Sequence, residues 1–101
     1  MTLNATDRPL PPLAPRAWLR YDVVSRIIDR LAPTTALEIG CGQGAFGARL
    51  ATRADYLGIE PDADSFAVAY ERITCLGGTV LNAMSSELES GRTYDMVCAF
   101  E

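Results

Sequence analysis

The feature that most constrains this chain is an apolar segment followed at once by alternating glycines, Leu37-Glu38-Ile39-Gly40-Cys41-Gly42-Gln43-Gly44. The apolar part is typical of a short buried strand, and the residues after the glycines have helical spacing. Glycines suit such a junction because the backbone can turn sharply and approach a ligand without a Cβ in the way. Open α/β sheets bind ligands where a strand ends and a helix begins. The segment therefore predicts a strand, a binding turn at residues 40–44 and a helix.

Strand and helix patterns alternate along the chain on both sides of this turn. A helix is predicted over residues 16–31 and ends before Pro33. Apolar runs predict four strands, over residues 36–39, 56–59, 79–81 and 94–100. Alternation at this spacing favours parallel strands joined by helical crossovers. The predicted fold class is therefore α/β, a doubly wound parallel sheet with flanking helices.

Two of the predicted helices carry apolar residues at helical spacing. In residues 16–31 these are Leu19, Val23, Val24, Ile27, Ile28 and Leu31. In the helix after the second strand they are Phe66, Ala69, Tyr70 and Ile73. Because an amphipathic helix buries its apolar face, we expect both sets to pack inward.

Length and composition limit the function classes. The 101 residues suffice for one domain with a modest core. The net charge of −4, without a run of basic residues, disfavours nucleic acid as a partner. Three widely spaced cysteines and no histidine indicate neither a disulfide framework nor a metal site, and histidine-dependent nucleophilic schemes are excluded. Without a signal peptide or an apolar stretch long enough for a membrane span, a cytoplasmic protein is expected.

The chain divides into an arm and one domain. Residues 1–15 contain Pro9, Pro11, Pro12 and Pro15, and we expect an extended N-terminal arm because each proline fixes φ and removes a hydrogen-bond donor. Residues 16–101 form the predicted domain.

Two acidic residues flank the glycine turn and bear on which cofactor it binds. Glu60 closes the second strand, where a carboxylate can accept hydrogen bonds from both hydroxyls of an adenosine ribose. The glycine spacing alone also fits a dinucleotide. Glu38, however, precedes the first glycine, where it would repel a pyrophosphate and favour the ammonium and sulfonium groups of S-adenosylmethionine. S-adenosylmethionine is therefore the expected small-molecule cofactor, and an NAD(P)-dependent oxidoreductase is the alternative.

These residues resemble the first motif of class I S-adenosylmethionine-dependent methyltransferases, an acid followed by alternating glycines. Glu38, Gly40, Gly42 and Gly44 match that motif, and the similarity covers about residues 16–101. The resemblance implies that the turn, including Cys41, cradles the methionine end of the cofactor.

The resemblance also implies roles for residues that follow the second and third strands. Glu60 would bind the ribose, and Pro61 would flank the adenine. Family members often have an aspartate after the third strand, whereas this chain has Asn82, Ala83 and Met84 there. The resemblance therefore gives the turn containing Asn82 and Ala83 an adenine-binding role.

The family has a Rossmann-like sheet of about seven strands, and this chain would supply only about four, in the order 3-2-1-4. The fourth strand would then be an uncovered edge, so we expect a fragment, truncated at its C-terminus, of a longer methyltransferase. The catalytic residues are unknown and are expected at or beyond Glu101. The methyl acceptor is not identified, and a non-catalytic module of the same fold is a further alternative.

Overall fold

The computed structural model describes residues 10–99; most of the predicted arm, Phe100 and Glu101 lie outside this range. The elements, in chain order, are α1 (Pro15–Leu31), β1 (Thr35–Ile39), α2 (Ala45–Ala51), β2 (Asp55–Ile59), α3 (Ala63–Thr74), β3 (Thr79–Leu81), a short 3-10 helix (Ser85–Glu87) and β4 (Met96–Ala99). The predicted helix and the four predicted strands are all present.

The sheet confirms the predicted topology. Its strands lie in the order β3-β2-β1-β4, and every neighbouring pair is parallel. In the register of the sheet, Leu37 of β1 lies between Leu57 of β2 and Val97 of β4. The described residues therefore form the partial Rossmann-like sheet with flanking helices that the sequence predicts.

Local chemistry determines where the helices begin and end. Pro15, which we expected in the arm, is the first residue of α1, where the missing N–H of proline costs no intrahelical hydrogen bond. α1 ends at Leu31 and is followed by Ala32 in the left-handed conformation, directly before Pro33. α3 begins after Asp62, whose carboxylate accepts a hydrogen bond from the Ser65 amide at 2.9 Å.

β4 is shorter than predicted because the residues before it make a different contact. One Asp95 carboxylate oxygen accepts hydrogen bonds from the Thr34 and Thr35 amides at 2.7 and 3.2 Å. The Asp95 amide in turn donates to the Thr35 hydroxyl at 2.9 Å. These bonds join the start of β4 to the start of β1, and the strand itself begins at Met96.

Each helix contributes to one apolar core through a narrow stripe. The buried pairs are Val24 and Ile28 of α1, Ala48 and Leu50 of α2, and Ala69 and Ile73 of α3. The expectation that the whole apolar set packs inward is wrong for several exposed residues, namely Leu19, Val23, Ile27 and Leu31 of α1 and Tyr70 of α3. Their positions span more of the helix circumference than one packing face covers.

Among residues 10–99, no helix combines the length and the apolar character needed to span a bilayer.

Candidate functional site

The turn between β1 and α2 uses its glycines for two purposes. Gly40 and Gly42 have φ values of 74° and 57°, a left-handed conformation that glycine adopts without strain, and a Cβ at either would have no heavy atom within 4 Å. A Cβ on Gly44 would instead lie 2.9 Å from the Ala69 Cα and 3.0 Å from the Ile73 Cδ1. The first two glycines therefore shape the turn beside open space, and the third allows α2 to pack against α3.

Hydrogen bonds to β2 and to the residue after it hold the turn in place. The amides of Gly40 and Cys41 both donate to the Ile59 carbonyl, at 2.9 and 3.0 Å. The Gly42 amide donates to the Glu60 Oε1 at 2.8 Å. Three consecutive N–H groups of the turn are thus bonded within the protein.

A cavity of about 430 Å³ lies beside this turn. Its walls come from the arm, α1, the turn, α2 and α3, and the lining residues include Pro12, Leu13, Ala17, Arg20, Glu38 and Arg72. The turn residues Gly40, Cys41, Gly42 and Gly44 line the cavity as well. One carboxylate and two guanidinium groups therefore border the same space.

Glu38 is the buried acid of this cavity, with 2 % of its surface exposed. Its Oε1 accepts a hydrogen bond from the Tyr56 hydroxyl at 2.6 Å. Burial raises the pKa of Glu38 to about 7, and the hydrogen bond from Tyr56 acts in the opposite direction. The carboxylate therefore changes charge near neutral pH.

The structure brings Glu60, Pro61 and Asn82 together where β2 and β3 end. The second Glu60 oxygen, Oε2, accepts a hydrogen bond from the Asp62 amide at 2.9 Å, and the side chain is 8 % exposed. The side-chain nitrogen of Asn82, Nδ2, donates to the backbone carbonyls of Glu60 and Pro61 at 2.9 and 3.1 Å. Ala83, next in the chain, is half-buried. The residues predicted to bind the ribose and the adenine are thus neighbours of one another, and they lie outside the cavity that Glu38 lines.

Cys41 has the environment of a structural thiol. It is buried, and its Sγ donates to the Gly42 carbonyl at 3.9 Å. Burial, followed by the negative charges of Glu38 and Glu60, raises the pKa of Cys41 to about 12. The thiol is therefore protonated at neutral pH and is unsuited to act as a nucleophile. Within residues 10–99, no group of three or more acidic, cysteine or histidine side chains could hold a metal ion.

Arg49 is a buried cation that the sequence pattern does not reveal. Its Nη1 donates to the carbonyls of Pro11 and Ala45 at 2.6 and 2.9 Å, and its guanidinium lies 5.1 Å from the centre of the Trp18 ring. The contact with Pro11 holds the arm next to the cavity. An arginine in an amphipathic helix is usually solvated, so only the packing of α1 on α2 identifies this role. The sequence pattern also does not identify Arg20 and Arg72 as cavity residues, because an arginine in an amphipathic helix is usually solvated.

No protein-family model and no curated protein matches the chain. Solved structures do match it. The N-methyltransferase NodS of Bradyrhizobium japonicum WM9, in complex with S-adenosylhomocysteine, aligns with a TM-score of 0.71 at 21 % identity, over 82 % of this chain and 44 % of that one. The amino pentose methyltransferase CalS10 of Micromonospora echinaspora, bound to S-adenosylmethionine, aligns with a TM-score of 0.66 at 24 % identity, over 93 % and 44 %.

This chain has the fold of the class I methyltransferases. The plantazolicin methyltransferase BpumL, also in complex with S-adenosylhomocysteine, aligns at 20 % identity with a TM-score of 0.67, over 83 % of this chain and 35 % of that one. The chain thus spans between about a third and a half of the length of these methyltransferases.

Proposed function

We propose that this chain is the cofactor-binding part of an S-adenosylmethionine-dependent methyltransferase. The observation that carries the proposal is the buried Glu38 carboxylate, which lines the cavity beside a turn whose first three amides are bonded within the protein. A dinucleotide site needs N–H groups directed at a pyrophosphate and no negative charge beneath them. The amides of Gly40, Cys41 and Gly42 bond instead to the protein. The turn therefore suits a cationic ligand group better than a pyrophosphate.

The cavity provides charges for both ends of an amino acid. In this proposal Glu38 pairs with the ammonium group of the cofactor, and Arg20 and Arg72, which border the same space, attract its carboxylate. Gly40 and Gly42 allow close approach because no side chain projects from them into the cavity. This arrangement fits the methionine end of S-adenosylmethionine.

The ribose and adenine would lie on the other side of the turn. Each Glu60 oxygen accepts one backbone hydrogen bond and retains a lone pair for a ribose hydroxyl. The Asn82 amide nitrogen is directed to the carbonyls of Glu60 and Pro61, which leaves its Oδ1 to accept a hydrogen bond from the adenine amino group. Pro61 and Ala83 would contribute apolar contacts beside the ring.

When bound, S-adenosylmethionine supplies an electrophilic methyl group on its sulfonium. The described residues orient the cofactor and limit the access of water to it, which are the main requirements for an in-line displacement. Pro12 and Leu13 of the arm and Ala17 of α1 form the apolar side of that enclosure. The candidate acceptor-side residue Glu101 lies outside the described residues.

The three similar methyltransferases differ in the acceptors that their names indicate, plantazolicin for one and an amino pentose for another, while the bound cofactor or its product is common to them. This pattern supports the cofactor and leaves the acceptor open.

Isothermal titration calorimetry with S-adenosylhomocysteine and with NAD tests the proposal. We expect a heat of binding with S-adenosylhomocysteine and none with NAD. Glu60→Gln should weaken that binding by about 10- to 100-fold, because the new NH₂ group must face the Gly42 or the Asp62 amide, donor against donor. Glu89→Gln changes an exposed glutamate and is the matched control.

Two results would contradict the proposal. Heat with NAD alone would identify an oxidoreductase domain. No heat with either compound, from folded protein, would identify a non-catalytic module of the same fold.

A further inference from the structure

Tyr56 occupies an unusual position for a tyrosine, because its hydroxyl lies inside the core. The side chain is only 1 % exposed. A Cβ on Gly47 of α2 would collide with the Tyr56 hydroxyl, and one on Gly58 of β2 would lie 2.5 Å from it. A Cβ on Gly78 would lie 3.2 Å from the Tyr56 ring. Three glycines therefore create the space that the ring and its hydroxyl fill.

Packing alone does not require the hydroxyl, since phenylalanine would fill most of the same space. A buried hydroxyl without a partner destabilises the fold, so the oxygen needs a hydrogen bond. That bond goes to the Oε1 of Glu38 at 2.6 Å, from β2 to the neighbouring strand β1. Glu38 is in turn the acid that lines the cavity.

We propose that Tyr56 is a positioning residue for the cofactor: its hydroxyl donates a hydrogen bond to the Glu38 carboxylate and orients it at the cavity to receive an ammonium group. This inference rests on the proposed function. It adds a residue that does not line the cavity and acts through Glu38.

The burial of Glu38 explains why such a residue is needed. The titratable groups that interact with it are Tyr56 of β2, Cys41 of the turn and Cys98 of β4, which is its partner in the sheet register. Arg20 of α1 and Arg72 of α3 line the same cavity, and Glu60 lies outside it. Burial raises the pKa of Glu38 to about 7, and the hydrogen bond from Tyr56 lowers it. Without that hydrogen bond, a larger share of Glu38 would be protonated at neutral pH and unable to pair with a cation.

Calorimetric titrations of Tyr56→Phe across the neutral pH range test this role. Wild-type affinity for S-adenosylhomocysteine should rise as pH increases through about 7, as Glu38 ionises. In Tyr56→Phe the midpoint should move upward by about one pH unit. At neutral pH the variant should bind about 5- to 10-fold more weakly. Methylthioadenosine, which has the adenosine but no amino-acid end, should bind both proteins equally.

Two further variants keep the test decisive. Tyr70→Phe removes a hydroxyl from a half-exposed tyrosine of α3 and should leave affinity and midpoint unchanged. In a Glu38→Gln background the pH dependence should be lost, and adding Tyr56→Phe should change affinity by less than about twofold.

The inference is overturned if Tyr56→Phe keeps the wild-type midpoint, or if it weakens both ligands equally, as a purely structural residue would. Wild-type protein that binds NAD and not S-adenosylhomocysteine would overturn the proposed function itself. The two failures are therefore distinguishable.

Discussion

Gly44, the third glycine of the turn, is expected to matter for the packing of α2 against α3. Its φ of 83° is left-handed, and a side chain there costs about 1–2 kcal/mol in backbone strain. An added Cβ would also lie 2.9 Å from the Ala69 Cα, a backbone atom that cannot move aside by rotation. Overpacking of this kind costs about 1–3 kcal/mol. Gly44→Ala should therefore lower the free energy of unfolding by about 2–5 kcal/mol.

Gly77 provides a matched control for this substitution. Its φ is 87°, and a Cβ there would have no heavy atom within 4 Å. Gly77→Ala should therefore cost only the strain, about 1–2 kcal/mol, and the effect of alanine on the unfolded chain is common to both variants. Equilibrium urea unfolding of wild type and both variants measures the gap, which should be about 1–3 kcal/mol. Equal losses in the two variants would refute the argument that α3 restricts this position.

Three other substitutions test separate contacts. The pKa of Glu38 is raised in the folded protein from 4.5 to about 7, so its contribution to stability is complete below pH 4.5 and is lost as pH rises through 7. Relative to Glu38→Gln, the free energy of unfolding of wild type in urea should therefore fall by about 2–3 kcal/mol over that pH window. Parallel pH profiles of the two proteins would contradict this prediction. Asn82→Ala should weaken S-adenosylhomocysteine and methylthioadenosine equally, by about 5- to 30-fold in calorimetry, because the adenosine part is shared; a loss confined to S-adenosylhomocysteine would place Asn82 at the methionine end. Arg49→Met should destabilise the protein by about 1–3 kcal/mol and speed hydrogen exchange in the arm near Pro11; unchanged exchange there would show that the arm is held by other contacts.

The elements of this fold were predictable from the sequence because their signals are local. An apolar run, a proline, a glycine pair or an acidic N-cap acts within a few residues, and these signals located the helices and strands nearly as the structure has them. The order of the strands was also expected, since alternating strands and helices permit few arrangements. Glu60 and Asn82 could be proposed as cofactor-binding residues from the sequence because each follows a strand at the edge where parallel sheets bind ligands, and their roles stay predictions.

The tertiary structure decided everything that depends on which faces meet. Only the packing of α1 on the core distinguishes Val24, which is buried, from Val23, which is exposed, although both lie in the same apolar pattern. The pairing of β1 with β2 brings the Tyr56 hydroxyl to Glu38, across eighteen residues of sequence. By itself, the sequence determined that a turn of glycines would lie between two acids at a sheet edge. Which amides remain free, and how the buried acid is held, follow from long-range contacts that no local pattern encodes.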